Sequence, residues 1–384
     1  DGDGDGDGDG DGDGDGDGDG DGDPVADLPD EGCDPPEIGE VCFNDGGFVF
    51  VAVAPTTVLL DRIDADDEVD LVISSISAAG VRVVPGLGNG GFAEEPLVSN
   101  LALGVRGVAS GDLDLDGSTD LAVANVFSPA GTGVSYGDGT GSFSPPPFAM
   151  TGETPRALVI APIDADEWPD IAVADESGNA VYVLLGDGTG AVPNIDSYPV
   201  GAEPYDILVA DLDGDVHADI VTVDRVDATV SVLWGDGTGV FGAAQAEPVG
   251  AGPRAVSHAD LDADGDLDLL TADFEAATVT ILENLGERSF APAQALPVGP
   301  QPYAVLAVDV SGDQLPDIIS ADSGDSTITI HPSLGPGYDA PLTRFVGTQP
   351  FDMAAADLDG DSRSDLAVAV FGASTVAILL TGAD

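Results

Sequence analysis

The stretch Asp112-Leu113-Asp114-Leu115-Asp116-Gly117-Ser118-Thr119-Asp120 contains four aspartates within nine residues, with a glycine after the third. Carboxylates at alternate positions of a tight loop converge on one point, and the glycine permits the sharp turn. The carboxylates repel one another unless a hard cation lies among them, and ligation by oxygen alone selects Ca²⁺ over zinc or copper. We therefore expect a calcium loop here, with the backbone carbonyl of Ser118 as a further ligand.

This loop differs from an EF-hand, which requires a bidentate glutamate at its twelfth position. The twelfth position here is Val123, and the corresponding residues of the other three complete copies are Thr222, Thr271 and Val368. The ninth residue, Asp120 in this copy, is therefore expected to close the site.

The loop recurs along the chain, with its last aspartate at positions 70, 120, 170, 219, 268, 317 and 365. The pattern Gly-x-x-Pro repeats with it, placing prolines at 155, 204, 253, 302 and 350, and Gly-Asp-Gly-Thr-Gly begins at 137, 186 and 235. Residues 43–384 therefore form seven units of about 49 residues.

Each unit predicts four short strands separated by turn residues. In unit five, strands are predicted at Ala255–Ala259, Leu269–Ala272, Thr278–Glu283 and Ala293–Val298, and the loop Asp260–Asp268 lies between the first two. The Asp-Gly pair in Gly235-Asp236-Gly237 predicts a hairpin between a third and a fourth strand. Four antiparallel strands repeated every 40 to 50 residues are typical of a β-propeller, so we expect an all-β, seven-bladed propeller.

The two ends of the repeat region complement each other. The last unit stops after its third strand, Thr375–Leu380, and the first unit begins with a spare strand at Asn44–Phe48, which matches Gly88–Phe92. We expect the N-terminal strand to complete the seventh blade and close the ring.

The seven loops are unequal. Units two, four, five and seven keep all four carboxylates; with the residue that would ligate through its backbone carbonyl, their expected ligands are Asp112, Asp114, Asp116, Ser118, Asp120, Asp211, Asp213, Asp215, His217, Asp219, Asp260, Asp262, Asp264, Asp266, Asp268, Asp357, Asp359, Asp361, Arg363 and Asp365. Unit six offers Asp309, Ser311, Asp313, Leu315 and Asp317, where a hydroxyl or a water replaces one carboxylate. Units one and three begin with Arg62 and Pro162 and keep only Asp64, Asp66, Asp70, Asp164, Asp166 and Asp170.

The loop, the repeat length and the strand pattern resemble the FG-GAP or VCBS repeats of integrin α-subunit propellers and of many bacterial surface and secreted proteins. The resemblance covers residues 43–384, and its letters are loosely kept in Phe241-Gly242-Ala243 and Gly250-Ala251-Gly252-Pro253. It implies a seven-bladed propeller with structural Ca²⁺ between the first and second strands of a blade, and a ligand on the opposite face.

A second set of residues lies six positions before each loop, at the start of the innermost strand. Thr56 holds this position in unit one, and the other units have Arg106, Arg156, Tyr205, Arg254, Tyr303 and Phe351. A six-residue strand is about 20 Å long, so these residues are expected at the channel mouth, away from calcium. Arginines and aromatic rings there could receive an anionic or sugar ligand. The alternative is that they are strand-entry residues that pack against the preceding proline.

The charge balance excludes several functions. The chain has 72 Asp plus Glu against 9 Lys plus Arg, a net charge of −63, which disfavours nucleic acid and anionic membranes as partners. All the basic residues are Arg, which excludes Schiff-base chemistry and the P-loop lysine. The only histidines are His217, His258 and His331, and no hydrolase motif is present, so we expect no catalysis. A hydrolase built on variable loops is the least favoured alternative.

The N-terminal segment has another composition. Residues 1–23 are Asp-Gly pairs ending in Asp23, which predicts a disordered spacer, a low-complexity expansion without function or, less favoured, a calcium sponge. Residues 24–42 are Pro-rich and contain Cys33 and Cys42, expected as a disulfide in an exported protein and otherwise as free thiols. No apolar run is long enough for a transmembrane helix, and a chain that begins at Asp1 without Met or a signal peptide suggests a processed or truncated product.

Together these features predict a secreted or cell-surface binding or adhesion module, monomeric and stabilised by Ca²⁺, whose ligand is a protein or a glycan. A propeller lectin is the principal alternative. A lipidated cysteine upstream of Asp1 would make the protein an outer-membrane lipoprotein.

Overall fold

The computed structural model describes residues 41, 43–51, 54–76, 79–94, 97–127, 130–145, 147–189, 194–335 and 337–382. The Asp-Gly run, Cys33 and Cys42 lie outside these residues, so the spacer and the disulfide stay predictions. The described residues form 28 strands and no helix, and none of them could cross a membrane as a helix.

The first strand, β1, is Phe43–Phe50, and the remaining strands follow in chain order. Blades one to three contain β2 (Thr57–Asp61), β3 (Asp70–Ser74), β4 (Ala79–Val84), β5 (Leu97–Leu103), β6 (Val105–Gly111), β7 (Asp120–Asn125), β8 (Gly131–Ser135), β9 (Phe148–Ala149), β10 (Pro155–Ala161), β11 (Asp170–Asp175), β12 (Ala180–Leu185) and β13 (Asn194–Pro199). Blades four to six contain β14 (Pro204–Ala210), β15 (Asp219–Asp224), β16 (Thr229–Leu233), β17 (Gln245–Pro248), β18 (Pro253–Ala259), β19 (Asp268–Asp273), β20 (Thr278–Leu282), β21 (Gln294–Pro297), β22 (Pro302–Val308), β23 (Asp317–Asp322), β24 (Thr327–His331) and β25 (Leu342–Phe345). Blade seven contains β26 (Pro350–Ala356), β27 (Asp365–Val370) and β28 (Thr375–Thr381).

The strands form seven four-stranded antiparallel sheets, which confirms the predicted propeller. Six sheets use consecutive strands, and the seventh has the order β1-β28-β27-β26. Strand β1 runs antiparallel to β28, with Phe43 opposite Thr381 and Phe50 opposite Thr375. The N-terminal strand therefore closes the ring, as the sequence predicts.

The second strand of every blade is buried at each position. Its sequence is an almost continuous apolar run, as in Asp120–Asn125, because neighbouring blades cover both of its faces. Each blade therefore contributes the centre of its sheet to two interfaces.

The hydrophobic core consists of seven clusters, each shared by two neighbouring blades. At the junction of blades seven and one, Leu71 and Ile73 pack in the same cluster as Ala367, Val376 and Ile378. The innermost strands of successive blades also contact one another around the whole ring. The junction that closes the ring is thus packed like the others.

A β-bulge interrupts the pairing of the innermost strand with the second strand in six blades. The pairing passes from Val105 to Gly107 and from Pro155 to Ala157, and the same step occurs in blades four to seven. The six residues passed over are Arg106, Arg156, Tyr205, Arg254, Tyr303 and Phe351. A bulge redirects the side chain of its extra residue, so these residues differ from ordinary strand residues.

The Asp-Gly segments lie between the third and fourth strands, as predicted, but within a longer connection. Strand β16 ends at Leu233 and β17 begins only at Gln245. In blade two the turn is closed by the isolated bridge between Gly137 and Phe143. The Asp-Gly pair therefore forms a small ordered hairpin at the edge of the blade rather than the link between the strands themselves.

Candidate functional site

Each predicted metal loop, here called an Asp loop, joins the innermost strand of a blade to the second strand. In blade two, β6 ends at Gly111 and β7 begins at Asp120, so the loop occupies the intervening bend. The bulged residue Arg106 lies near the other end of β6. The Asp loops and the bulged residues therefore lie at opposite ends of the innermost strands, as expected.

The first carboxylate of a complete Asp loop holds the turn. Asp112 Oδ1 accepts a hydrogen bond from the amide of Asp116 at 3.0 Å, and its Oδ2 accepts one from the amide of Gly117 at 2.9 Å. Asp114 and Asp116 accept amide hydrogen bonds through Oδ1, at 3.3 Å and 2.8 Å. No hydrogen bond to their Oδ2 atoms is formed within the described part of the chain, so these oxygens are available to a cation.

The ninth residue has a structural role that the sequence interpretation missed. Asp120 is fully buried; its Oδ2 accepts the amide of Leu113 at 2.9 Å and its Oδ1 accepts the amide of Gly137 at 2.8 Å. It therefore ties the loop to the end of the third strand. The signal was present in the sequence, because this aspartate is kept in all seven units, including those whose first or third position has lost its carboxylate.

The same pair of amide contacts recurs at all seven ninth-position aspartates, including those of the incomplete loops of blades one and three. Burial raises the pKa of Asp120, Asp219, Asp268 and Asp365 to about 6, although the amide hydrogen bonds oppose the shift. Negatively charged neighbours at the third or fifth position raise these pKa values further. A divalent cation in the loop would offset both effects.

Five Asp loops bring three carboxylate oxygens within 4.8 Å of one another: Asp64, Asp66 and Asp70; Asp112, Asp114 and Asp120; Asp211, Asp213 and Asp219; Asp260, Asp262 and Asp264; Asp357, Asp359 and Asp365. The four complete loops are among them, and blade one joins them despite Arg62. In the described loops of blades three and six no such group forms, although unit six was expected to bind metal with the help of Ser311. The donors are all carboxylate oxygens, which fit a hard divalent cation such as Ca²⁺.

The six bulged residues, here called the mouth cluster, lie together in space. The guanidinium of Arg156 stacks on the ring of Tyr205, with Cζ 3.4 Å from the ring centroid. The next arginine, Arg254, donates from Nη1 to the hydroxyls of Tyr205 at 2.5 Å and Tyr303 at 2.9 Å. Tyr303 stacks on Phe351 with ring centroids 4.0 Å apart. The mouth cluster is thus a continuous arc of cations and aromatic rings.

Three further residues, which sequence reasoning missed, complete this arc. Glu176 pairs with Arg106 and lies 3.9 Å from Arg156; Phe274 lies under the guanidinium of Arg254 at 4.0 Å; Phe371 stacks on Phe351 at 4.7 Å. All three follow directly on the second strand of a blade. Their shared position after the second strand is the sequence feature that could have identified them. Using it requires knowing where each second strand ends.

The charge of the mouth cluster is positive in a strongly acidic protein. Three guanidinium groups face one directly paired carboxylate, Glu176. Burial lowers the pKa of Arg156, and the neighbouring Arg106 and Arg254 act in the same direction. The Nε atoms of Arg106 and Arg254 are buried and find no hydrogen-bond partner among the described residues. An anion at this place would relieve the repulsion between the arginines.

Two partly buried carboxyl groups lie next to the mouth cluster, on the innermost strands. Asp206 Oδ2 accepts the amide of Val256 at 3.0 Å, and Asp352 Oδ2 accepts the amide of Val58 at 2.9 Å, so each carboxyl bonds to the next blade. Burial raises the pKa of Asp206 to about 6 and that of Asp352 to about 7. These groups join neighbouring blades in the inner layer of the ring.

The fold and the Asp loops together define a β-propeller built from FG-GAP-like repeats. Four overlapping stretches of the chain, residues 163–222, 217–271, 260–320 and 309–368, match the FG-GAP-like repeat family. They cover more than half of the 384 residues, and the chain belongs to this family. No curated protein sequence matches the chain.

Solved structures with the same fold have very different sequences. The chain is similar to BBS1N from a complex with ARL6DN (16% identity, covering 89% of this chain and 96% of that chain, TM-score 0.60). It is also similar to hydrazine synthase of Kuenenia stuttgartiensis (16% identity, 86% and 96% covered, TM-score 0.61) and to a lectin of Agrocybe aegerita that recognises non-reducing terminal N-acetylglucosamine (18% identity, 82% and 85% covered, TM-score 0.53). At these identities the likeness concerns the fold alone.

Proposed function

We propose that this protein is a non-catalytic propeller, stabilised by Ca²⁺ in its Asp loops, that serves as a binding or adhesion module outside the cell or at its surface. The observation that carries the proposal is the convergence of three carboxylate oxygens within 4.8 Å in five loops. Membership of the FG-GAP-like repeat family supports a binding module. The role of Ca²⁺ in this proposal is structural, because each loop connects the first two strands of a blade.

The electrostatics of the loops support a resident divalent cation. Asp114 and Asp116 each use one oxygen for the amides of the loop and keep the other available. Two such carboxylates beside buried Asp120 repel one another, and a divalent cation would turn that repulsion into attraction. Ca²⁺ suits the site because it accepts many oxygen ligands in a flexible geometry.

Equilibrium dialysis with radioactive calcium tests this part of the proposal. We expect several Ca²⁺ per chain, and one fewer in an Asp114→Asn variant. Ser118→Ala is the matched control, since this residue would ligate only through its backbone carbonyl, and it should leave the count unchanged. A chain that binds no Ca²⁺ would refute the metal role. A dissociation constant of about 10⁻⁴ to 10⁻³ M would fit an extracellular module, and a far tighter one would argue against that location.

The ligand is proposed to bind at the mouth cluster. Six β-bulges direct arginines and aromatic rings to this end of the innermost strands, and bulges are common next to binding sites. Arg156 is the member to test, because its side chain makes no hydrogen bond with the described residues and its ion-pair partner, Glu176, is 3.9 Å away. An anionic group on a protein or glycan ligand would supply the missing partner.

Arg156→Gln separates this role from folding. With a ligand identified by a pull-down of extracellular proteins or by a glycan array, the variant should lose binding while its melting temperature in calcium stays close to that of the wild type. Arg82→Gln removes the same charge from β4 of blade one and should keep full binding. Equal binding by the wild type and Arg156→Gln would overturn the assignment of the mouth cluster as the ligand site.

A propeller lectin is the second candidate. Tyr303, Phe351 and Phe371 form a stack of three rings, a surface on which a sugar ring packs well. The lectin of Agrocybe aegerita has the same fold, and only the fold is common to the two chains. A glycan array decides between the candidates: specific binding that Phe351→Ala abolishes favours the lectin, and no glycan binding together with capture of a defined protein favours the adhesion module.

A further inference from the structure

The hairpin after the third strand of a blade packs on the Asp loop of the preceding blade. A Cβ built on Gly239 in blade four would lie 3.3 Å from Cβ of Asp164 in blade three, and one on Gly141 in blade two would lie 4.0 Å from Cβ of Asp64 in blade one. Both glycines lie two residues before a phenylalanine, Phe241 and Phe143, and both have positive φ, 72° and 78°. Phe143 closes its hairpin through a bridge to Gly137, and Thr238 of the blade-four hairpin forms a bridge with Asp164 itself. This hairpin position therefore lies directly above the third residue of a neighbouring Asp loop.

Blade five has an arginine at this position. Arg288 lies two residues before Phe290, the residue that closes the same hairpin, and it has φ 62°. The hairpin segments 86–92, 137–143, 186–192, 235–241 and 333–338 of the other blades contain no basic residue. A left-handed conformation strains any residue except glycine, so this arginine is kept against a conformational cost.

The side chain of Arg288 contacts the Asp loop of blade four. Its Nε donates to Asp213 Oδ2 at 2.6 Å, and its Nη2 lies 3.7 Å from Asp215 Oδ2. Among the described residues, these are the only Asp-loop carboxylates in an ion pair. The side chain of Asp213 is 8% exposed and that of Arg288 is 44% exposed, so the carboxylate of the pair is shielded from water and the guanidinium covers it from the solvent side.

The oxygens in contact with Arg288 are the ones that a metal would need. Asp213 and Asp215 use Oδ1 for amides of their own loop, at 3.2 Å and 2.9 Å, as the corresponding aspartates of the other complete loops do. In blades two and five the Oδ2 atoms at these positions accept no hydrogen bond from the described residues. In blade four both Oδ2 atoms face the guanidinium instead.

We propose that the guanidinium of Arg288 is the resident cation of the Asp loop of blade four, so that this loop is held without calcium and binds calcium more weakly than the loops of blades two and five. The inference rests on the proposed calcium function for its second half. To ligate through both Oδ2 atoms, Ca²⁺ must displace the guanidinium. The side chain of Arg288 is 44% exposed, so it can move away into solvent. Its departure breaks a charge-assisted hydrogen bond to Asp213, and this loss reduces the net free energy of calcium binding.

A tryptophan reports on the exchange. The Cζ atom of Arg288 lies 5.2 Å from the ring centroid of Trp234, which also stacks on Phe290 at 6.5 Å. The chain has two tryptophans, and the other, Trp168, belongs to the Asp loop of blade three. In a Trp168→Phe background, a change in fluorescence during a calcium titration would therefore arise from the neighbourhood of Arg288.

The first part of the proposal, that the guanidinium holds the loop without calcium, is tested on the full chain in EDTA with Arg288→Gln and Arg288→Lys. Loss of the guanidinium should lower the melting temperature by about 2 °C, and the lysine, which keeps the charge without the fork, should restore part of that loss. Both replacements keep a non-glycine residue at the strained position, so the backbone cost is matched. An unchanged melting temperature in Arg288→Gln would overturn the proposal.

The second half is tested by calorimetric calcium titration of the same proteins. Arg288→Gln should tighten one site by about tenfold, Asp213→Asn in that background should remove this site, and the Trp234 signal should appear at lower calcium than in the wild type. A titration of Arg288→Gln that equals that of the wild type would overturn the weaker affinity assigned to blade four. If no protein binds calcium, the proposed function fails, and the result in EDTA still decides whether Arg288 holds the loop.

Discussion

Asp120 Oδ1 accepts the amide of Gly137 at 2.8 Å, so the last carboxylate of an Asp loop is bonded to the second residue after the third strand of the same blade. Its Oδ2 accepts the amide of Leu113, inside the loop. One buried side chain thus holds the loop, the second strand and the end of the third strand together. The same pair of contacts is made in all seven blades, including blades three and six, so this role does not depend on whether a metal binds.

Replacing Asp120 by Asn should destabilise blade two. An amide can accept only one of the two backbone hydrogen bonds, so one buried N–H is left facing an NH₂ group, at a cost of about 1–3 kcal/mol in the free energy of unfolding. Urea unfolding in EDTA measures the loss. Asp138→Asn removes the same charge from an exposed turn and should cost less; equal losses for the two variants would contradict the role assigned to Asp120.

The junction that closes the ring predicts a steric effect in β1. A Cβ on Gly46 would lie 2.6 Å from Cγ2 of Ile378, closer than packed atoms approach. Gly46→Ala should therefore overpack this junction and lower the free energy of unfolding by about 1–3 kcal/mol. Gly242→Ala is the control, because nothing lies within 4 Å of a Cβ there. If thermal unfolding does not distinguish the two variants, β1 does not pair with β28 as described.

Removing the hydroxyl of Tyr303 from the mouth cluster should lower the free energy of unfolding by less than the two substitutions above. It accepts a hydrogen bond from Arg254 Nη1 at 2.9 Å, and its ring stacks on Phe351. Tyr303→Phe keeps the stack and removes the acceptor, so the free energy of unfolding should fall by about 0.5–1.5 kcal/mol. Tyr182→Phe, whose hydroxyl makes no hydrogen bond with the described residues, should be neutral in the same urea titration. A neutral Tyr303→Phe would mean that Arg254 does not depend on this acceptor.

Asp322 lies at the end of β23 that is remote from the Asp loop, and its titration should contribute to the pH dependence of the free energy of unfolding. Burial raises its pKa to about 7 from 3.8, although Thr329 and Ser320 donate hydrogen bonds to it. The folded chain therefore holds a proton that the unfolded chain has released. The stability contributed by this group is fully present below pH 3.8 and is lost as the pH rises through about 7.

Asp322→Asn removes that titration. In EDTA, the free energy of unfolding of the variant should rise relative to the wild type between about pH 4 and about pH 7, by at most about 1.4 kcal/mol per pH unit. Urea unfolding at the two pH values gives the difference. Asp339→Asn, at an exposed carboxylate that does not contribute to the pKa shift of Asp322, serves as the control and should follow the wild type. A constant difference between Asp322→Asn and the wild type would contradict a buried carboxyl that titrates near neutral pH.

The sequence predicts the architecture of this protein well because the repeat supplies it seven times. The spacing of the last loop aspartate gave seven units, and the unmatched strands at the two ends gave the closure of the ring that β1 and β28 form. The position of the mouth cluster, opposite the Asp loops, also followed from the length of one strand. These features follow from the spacing of motifs and the order of strands along the chain, which can be read from the sequence directly.

The contacts within the sites could not be predicted, because they join residues from different blades. The pairing of Glu176 with Arg106 spans 70 residues, and that of Arg288 with Asp213 spans 75. Both require the register of two strands and the packing of two sheets. The β-bulges that define the mouth cluster also have no signal in a single unit, since the bulged residue is Arg, Tyr or Phe in different blades.

The most direct test of the account is the melting temperature of the full chain in EDTA and after calcium has been returned in excess. Ca²⁺ that binds only the folded loops should raise the melting temperature progressively with its concentration, since a site held at about 1,000 times its dissociation constant contributes about 4 kcal/mol. Asp114→Asn should show a smaller rise than the wild type. A melting temperature that is the same in EDTA and in calcium would contradict the proposal that calcium stabilises this propeller.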